Sequence, residues 1–143
     1  MRPLRIQRRR NMGWRMPENT VCVDRSTGFG NPFPVIKCHP ASCGIQSGIW
    51  QVGTWDGPEM WFSHSAHGAQ ELSVEAYKFW VDQLKQETLR ERARLALRGK
   101  NISCWCRLCA RHKDGRPFDE PCDDCAPCHV DILGPIANAG EMS

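Results

Sequence analysis

The chain has 143 residues, 41% of them hydrophobic, which suits one domain with a small core. No apolar run approaches the roughly 20 residues of a membrane-spanning helix, and the basic N-terminus is not followed by the apolar segment of a secretory signal. The nine cysteines therefore indicate reduced or metal-bound thiols, and we expect a cytoplasmic protein rather than a secreted one.

The formal net charge is only +3, but it is distributed unevenly. Six arginines precede the first acidic residue, Glu18; they are Arg2, Arg5, Arg8, Arg9, Arg10 and Arg15. Arginine favours planar, bidentate contacts with phosphate, so we predict that Arg8 and Arg15 bind a phosphorylated ligand or nucleic acid. Residues 1–7 are expected to be flexible.

Thr20 to Val23 predict a short buried strand in which Cys22 packs as a small apolar side chain. A glycine-rich turn follows, through Gly30, Asn31 and Pro32 to Phe33. Gly30 and Asn31 are candidate contacts to an anion, although the spacing is neither that of a Walker loop nor that of a dinucleotide fingerprint.

Residues 34–68 predict a long, irregular insertion with packed tryptophans, in which residues 49–52 could form one strand. Cys38, His39 and Cys43 offer half of a metal site there. A helix is expected from Leu72, with Ser73 as its N-cap, an interruption near residues 86–88 and a stop at Gly99.

A strand through Ile102 to Cys106 should follow, beside the strand that carries Cys22, and then a helix starting near Cys128. Alternating strands and helices predict a small α/β domain with a short, mostly parallel sheet and flanking helices. Ligands bind at the carboxyl edge of such sheets, so residues 27–33 and 104–129 should face one crevice. Residues 139–143 are expected to fray.

The last third of the chain is rich in metal-ligand side chains, with C-x₂-C steps typical of zinc sites. There are eight of them: Cys104, Cys106, Cys109, His112, Cys122, Cys125, Cys128 and His129. Since one zinc ion takes four ligands, either two ions bind or some thiols serve another purpose. A third interpretation assigns every thiol to purely structural zinc.

We divide the set into an inner and an outer group. Cys109, Cys122 and Cys125 form a zinc knuckle within the loop 107–126, completed by His112 or by an outer cysteine such as Cys106 or Cys128. The outer group is the candidate working site: Cys104, Cys106, Cys128 and His129, with Asp131 orienting His129. A strand end and a helix N-terminus are where such sheets present reactive groups, and the helix terminus lowers a thiol's pKa.

Three motifs together resemble one family: Gly30-Asn31-Pro32-Phe33, Cys104-Trp105-Cys106 and Pro127-Cys128-His129. The chain from Arg5 to Asn138 is similar to the domain of unknown function 4326 family of phages and bacteria. The resemblance implies a small cytoplasmic α/β domain, in the host cell if the chain is phage-encoded, but no activity. Family members have a shorter loop between the cysteine motifs, which implies that residues 107–126 are an insertion and that the outer group is the shared site.

Two functions fit these features. The first is a zinc-binding α/β domain that holds a nucleotide-like or other phosphorylated ligand in the crevice, with hydrolysis or group transfer at a metal or thiolate as an open question. The second is a non-catalytic module, stabilised by one or two zinc ions, whose arginine-rich arm binds nucleic acid or a host protein.

Overall fold

The computed structural model describes residues 3–23, 27–37, 50–53 and 60–139. The strands in these ranges are β1 (Leu4–Gln7), β2 (Thr20–Cys22), β3 (Val35–Lys37), β4 (Trp50–Gly53), β5 (Met60–Ser63), β6 (Asn101–Cys104) and β7 (Arg116–Pro117). The helices are α1 (Ala66–Val81), α2 (Glu87–Leu97) and α3 (Val130–Asn138). None of these helices is both long and apolar enough to span a membrane.

The main sheet has the strand order β2-β6-β1-β7. Strands β1 and β2 both run parallel to the central strand β6, and the short β7 is antiparallel to β1. Val21 is paired with Ile102, so Ile102 lies beside the strand that carries Cys22, as predicted. The predicted α/β fold with a mostly parallel sheet is confirmed.

The first strand differs from the expectation that residues 1–7 are flexible. Leu4–Gln7 pair with β6 on one side and with β7 on the other, and the side chains of Arg5 and Ile6 are buried. Leu4-Arg5-Ile6-Gln7 does alternate apolar and polar side chains, but the alternation is only four residues long and lies in an arginine-rich segment, so it did not distinguish a strand from a flexible arm. Residues 1–2 and 140–143 lie outside the described ranges.

The second sheet is an antiparallel meander, β3-β4-β5, and α1 packs against it. The strand expected at residues 49–52 is present as β4, whereas the flanking strands β3 and β5 were assigned to an irregular insertion. Cys38, His39 and Cys43, the proposed half of a further metal site, lie outside the described residues.

Helix α1 begins earlier than predicted. Its N-cap is Ser65, whose hydroxyl accepts a hydrogen bond from the backbone N–H of Gly68 at 2.9 Å. Ser73, the expected N-cap, is instead buried in mid-helix and donates to the carbonyl oxygen of Phe33 at 2.6 Å. A short 3₁₀ turn, Leu84–Gln86, separates α1 from α2, and Gly99 follows α2 with a φ of +75°, as expected of a C-terminal glycine.

Two apolar cores result. The core on the main sheet consists of Val23, Phe29, Ala93, Leu97, Ile102, Cys104, Cys128, Val130, Leu133 and Ala137. The core on the meander consists of Phe33, Val52, Ala69, Tyr77 and Val81. Helix α3 connects them, because Leu133 and Ala137 pack in the first and Ile132 and Ile136 pack against the second. The position of the residues just before α3 is therefore fixed by both cores.

Candidate metal centres

The inner cluster consists of Cys109, His112, Cys122 and Cys125. One ligand atom from each lies within 4.8 Å of the other three. The Sγ of Cys109 is 3.1 Å from Nδ1 of His112 and 3.9 Å from Sγ of Cys122, and the Sγ of Cys125 is 3.7 Å from the same nitrogen. A tetrahedral zinc ion with sulfur at about 2.3 Å and nitrogen at about 2.0 Å separates its ligands by about 3.5 to 3.8 Å. The three separations given above, 3.1 to 3.9 Å, lie around these values.

Local backbone structure brings the four side chains together. A 3₁₀ turn, Ala110–His112, folds His112 back over Cys109, with a backbone hydrogen bond of 3.0 Å between them. The N–H of Cys109 donates to the Sγ of Cys125 at 3.3 Å, and Ala126 N–H donates to the carbonyl of Arg107 at 2.8 Å. These hydrogen bonds between protein groups close the base of the loop 107–126 on their own.

The electrostatics of the inner cluster favour a thiolate at Cys109. Desolvation alone would raise its pKa, but hydrogen bonds with His112 and Cys125 and from backbone N–H groups lower the pKa to about 6. Burial raises the pKa of Cys125. At neutral pH the metal-free loop therefore presents one ready anionic ligand, at Cys109.

The outer cluster consists of Cys104, Cys106 and Cys128, whose sulfurs all lie within 4.8 Å of one another. Cys104 ends β6 and Cys128 precedes α3, so a strand end and a helix start provide the ligands, as the sequence suggested. The sulfurs of Cys104 and Cys128 are 3.4 Å apart, and both residues are buried, while Cys106 is half-buried. The Nε2 of Gln70 lies 3.7 Å from the Sγ of Cys106.

The three outer thiols share one negative charge. Hydrogen bonds from Cys106 and Cys128 hold the pKa of Cys104 well below its usual value. The hydrogen bond to Cys104 raises the pKa of Cys106 to about 12 and also raises the pKa of Cys128. Cys104 is therefore the thiolate, and the other two sulfurs donate to it.

A buried charge network lies against the outer cluster. The Nη1 of Arg5 is 3.0 and 3.1 Å from the two carboxylate oxygens of Asp131, and Arg116 forms an ion pair with the same carboxylate. The Nη2 of Arg5 donates to the carbonyl of Ala126 at 2.8 Å. Burial lowers the pKa of Arg5, but electrostatic interactions with Cys128, Asp131, Cys104 and Cys106 outweigh burial and raise the pKa. Arg5 is thus held as a cation beside the thiols.

The prediction that Asp131 orients His129 is wrong. Asp131 pairs with Arg5 and Arg116, and His129 bonds through Nε2 to the carbonyl oxygen of Phe29 at 2.9 Å. Since a carbonyl accepts, Nε2 carries the hydrogen and Nδ1 is left with its lone pair, 3.8 Å from the Sγ of Cys128. Burial lowers the pKa of His129, which favours this neutral form.

The predicted ligand-binding residues are not assembled into one site. Asn31 has a structural role, because its Nδ2 donates to the hydroxyl of Ser73 and its Oδ1 accepts from the N–H of Phe33, both at 2.9 Å. Gly30 belongs to the same turn, and Arg15 is exposed. Arg8 donates to the Sγ of Cys22 at 2.8 Å, and its guanidinium lies 4.5 Å from the ring centroid of Trp105.

The two loops expected to border a crevice touch each other directly, through the hydrogen bond between His129 and Phe29. An open cavity of about 460 Å³ lies elsewhere, between α1 and the cysteine-rich loop. Its lining includes His67, Glu71, Glu75, Arg116, Phe118 and Asp131.

Sequence reasoning missed the most deeply buried charges of the site. Arg5 was assigned to a flexible arm and Arg116 to an inserted loop, yet the side chains of both are almost completely buried. The only local signal for Arg5 is its position between two apolar residues, Leu4 and Ile6.

Comparisons with curated proteins and with solved structures found no match. A protein-family model, described as a domain of unknown function (DUF4326), matches residues 6–139. The matched region contains both cysteine clusters, the glycine-rich turn and all three helices. Nearly the whole chain is covered, so this protein belongs to the family of the domain of unknown function (DUF4326).

Proposed function

We propose that the protein is a zinc-binding α/β domain in which Cys109, His112, Cys122 and Cys125 hold one zinc ion. The observation that carries this proposal is the separation of their ligand atoms, all within 4.8 Å and close to the edges of a zinc tetrahedron. A set of three sulfurs and one nitrogen in this geometry suits zinc better than magnesium or calcium, which prefer oxygen. The reducing cytoplasm that we propose as its location keeps the thiols available.

Metal analysis of the full chain tests the proposal. We expect Cys122→Ser to lose one equivalent of zinc relative to the wild-type protein, measured by inductively coupled plasma mass spectrometry after dialysis. Cys22→Ser is the matched control, because Cys22 is also half-buried but lies outside both clusters. An unchanged zinc content in Cys122→Ser would remove the inner cluster from the metal site.

A second function, binding of a phosphorylated ligand, is favoured by the surface around Trp105. The side chain of Trp105 is 46% exposed, and the guanidinium carbons of Arg8 and Arg10 lie 4.5 and 4.8 Å from its ring centroid. This surface follows the ends of β1 and β6, at the carboxyl edge where α/β sheets bind ligands. Two cations beside an exposed aromatic face suit a nucleotide, whose phosphate pairs with arginine and whose base stacks.

Calorimetric titration with AMP, with adenosine and with a single-stranded oligonucleotide tests this second function. We expect AMP to bind and adenosine to bind at least about tenfold more weakly, with Arg10→Ala weakening AMP by a similar factor. Arg94→Ala on α2 is the control. Binding of the oligonucleotide without binding of AMP would favour the alternative, a nucleic-acid module that uses its arginine-rich arm.

A further inference from the structure

The geometry points to a second metal centre, in which Cys104, Cys106 and Cys128 bind one zinc ion through three thiolates and leave a fourth position for a water molecule or a small anion. This centre is independent of the zinc proposed for the inner cluster. It shares no ligand with that cluster and is formed by different elements, a strand end and a helix start.

The number of protein ligands is the first argument. The three sulfurs lie within 4.8 Å of one another, and among the described residues no fourth cysteine, histidine or carboxylate joins them at that distance. A structural zinc site is closed by four protein ligands, as in the inner cluster. A site with three protein ligands leaves a position for an exogenous ligand, which is the arrangement of a catalytic zinc.

Charge is the second argument. Three thiolates and a zinc ion carry one net negative charge. Arg5 and Arg116, which are 0% and 4% exposed, carry two positive charges against the single negative charge of Asp131. The network therefore has one positive charge in excess, which the thiolate at Cys104 balances in the metal-free cluster. A zinc ion held by three thiolates carries the same single negative charge, so metal binding keeps the network balanced.

Unpaired donors are the third argument. Among the described residues, three buried polar atoms have no hydrogen-bond partner: Arg5 Nε, Tyr77 Oη and Arg116 Nε. Arg5 interacts with the outer thiols, and Arg116 joins the same charge network through Asp131 while also donating to the carbonyl of Cys122 at 3.4 Å. The ring of Tyr77 contacts that of His129 with centroids 5.0 Å apart, and burial together with the neighbouring Cys128 raises the pKa of its hydroxyl. Buried donors of this kind require acceptors, which thiolates and a metal-bound water or anion provide.

The surrounding side chains would affect the position and the accessibility of a bound ion. Gln70 lies 3.7 Å from the sulfur of Cys106 and also donates to the carbonyl of Pro127 at 3.0 Å, which fixes its position. Cys106 is half-buried, and the side chain of the preceding residue, Trp105, is exposed at the surface. Of the three ligands only Cys106 is partly exposed, so a ligand from solvent would reach a bound ion most directly past Cys106. An ion with an open position there can polarise a carbonyl or phosphoryl oxygen, or lower the pKa of a bound water.

Cobalt(II) titration of the full chain, followed by visible absorption, tests the inference. We expect two equivalents to bind to the wild-type protein and one to Cys122→Ser, with the remaining ion in the outer cluster. Added azide should change the ligand-field bands of that remaining ion, because azide can occupy the fourth position. Cys106→Ser should lose the azide response, whereas Cys22→Ser should keep it. A single equivalent in the wild-type protein, or bands that azide leaves unchanged, would overturn the inference.

A measurement on the wild-type protein guards against variants that fail to fold. With ¹¹³Cd as the probe, we expect two NMR resonances, only one of which shifts when azide is added. Alkylation of the metal-loaded, folded protein should spare Cys104, Cys106 and Cys128, as peptide mass spectrometry will show. One resonance, or alkylation of all three residues in the folded protein, contradicts a second metal centre.

Discussion

The inner and outer clusters each contain three cysteine sulfurs, to which the inner cluster adds His112, and they differ in how the chain forms them. The inner cluster is local: all four ligands come from residues 109–125, near the surface, and its nearby ion pair, Arg111 with Asp124, is 70% and 73% exposed. The outer cluster joins β6 to the start of α3, and its ion pairs are buried. One cluster closes a loop, whereas the other is part of the core.

This difference separates the roles that the two clusters can have. A local site of four ligands stabilises the segment that contains it, including the short edge strand β7, and its loss should leave the parallel strands β1, β2 and β6 intact. A site of three ligands in the core depends on the whole fold for its geometry, and in return it can offer an open position to a ligand. Each of the following changes affects one cluster and should leave the other unchanged.

Removing the buried cation beside the outer cluster should have the largest effect. Arg5→Met leaves the Asp131 carboxylate with Arg116 alone and leaves the carbonyl of Ala126 without its 2.8 Å hydrogen bond. Breaking a buried ion pair by removing one partner costs about 3 to 5 kcal/mol. Urea unfolding of the metal-loaded protein measures this loss of stability.

The matched control is Arg111→Met, which removes an Arg–Asp pair of similar length from the exposed loop. We expect no measurable change in its unfolding midpoint, because exposed ion pairs contribute little. If Arg5→Met and Arg111→Met lowered the free energy of unfolding equally, the ion pairs beside the outer cluster would not be part of the core.

Removing the inner zinc should have a large effect that is confined to the loop. In metal-loaded protein at a zinc concentration of 100 times Kd, the open form of the loop is suppressed about 100-fold. After chelation, trypsin should cut after Arg111 and Lys113 faster by about that factor, while the parallel strands β1, β2 and β6 stay protected. Peptide mapping over time gives the rates. Cleavage spread evenly over the chain would show that the loop does not unfold separately.

The contrast between the clusters also explains what the sequence could predict. The spacing of Cys109, Cys122 and Cys125 is a local signal, so the loop and its knuckle could be proposed from the sequence, with His112 as one option. The strand predicted through Ile102 to Cys106, which ends at Cys104, and the helix predicted to start near Cys128, which begins at Val130, follow from apolar patterns and from the glycine before the strand. The alternation of strands and helices along the chain also predicts the mostly parallel sheet.

The parts that could not be predicted depend on contacts between distant residues. Arg5 is separated from Asp131 by 126 positions, and nothing near Arg5 distinguishes a buried partner of a carboxylate from a solvated arginine. Asn31 in a glycine-rich turn looks like an anion contact, yet its partner is Ser73 on α1. Residue type suggested function at both positions, but tertiary hydrogen bonding determines what each side chain does.

A change of pH should also distinguish the two clusters, but with a smaller effect than removal of the zinc. Because the pKa of Cys109 is lowered to about 6, its thiolate persists at neutral pH and is lost as the pH falls through 6. In metal-free protein, alkylation of Cys109 by iodoacetamide should therefore be flat above pH 7 and fall about tenfold per pH unit below 6. Rates from peptide mass spectrometry test this, with Cys106 as the internal reference. The pKa of Cys106 is raised to about 12, so it should react slowly throughout.

The smallest effect is expected at Asn31, and it tests how the outer cluster is supported. Asn31 fixes the turn whose neighbouring residue Phe29 accepts the hydrogen bond from His129, next to Cys128. Asn31→Ala removes two hydrogen bonds and should lower the free energy of unfolding by about 1 to 2 kcal/mol. Since the hydrogen bond from His129 to Phe29 connects this turn to the residue next to Cys128, cobalt affinity should fall in the outer cluster and not in the inner cluster. If cobalt affinity fell equally at both sites, the two clusters would be coupled. If stability were unchanged but AMP binding were lost, Asn31 would be a ligand-binding residue, as the sequence predicted.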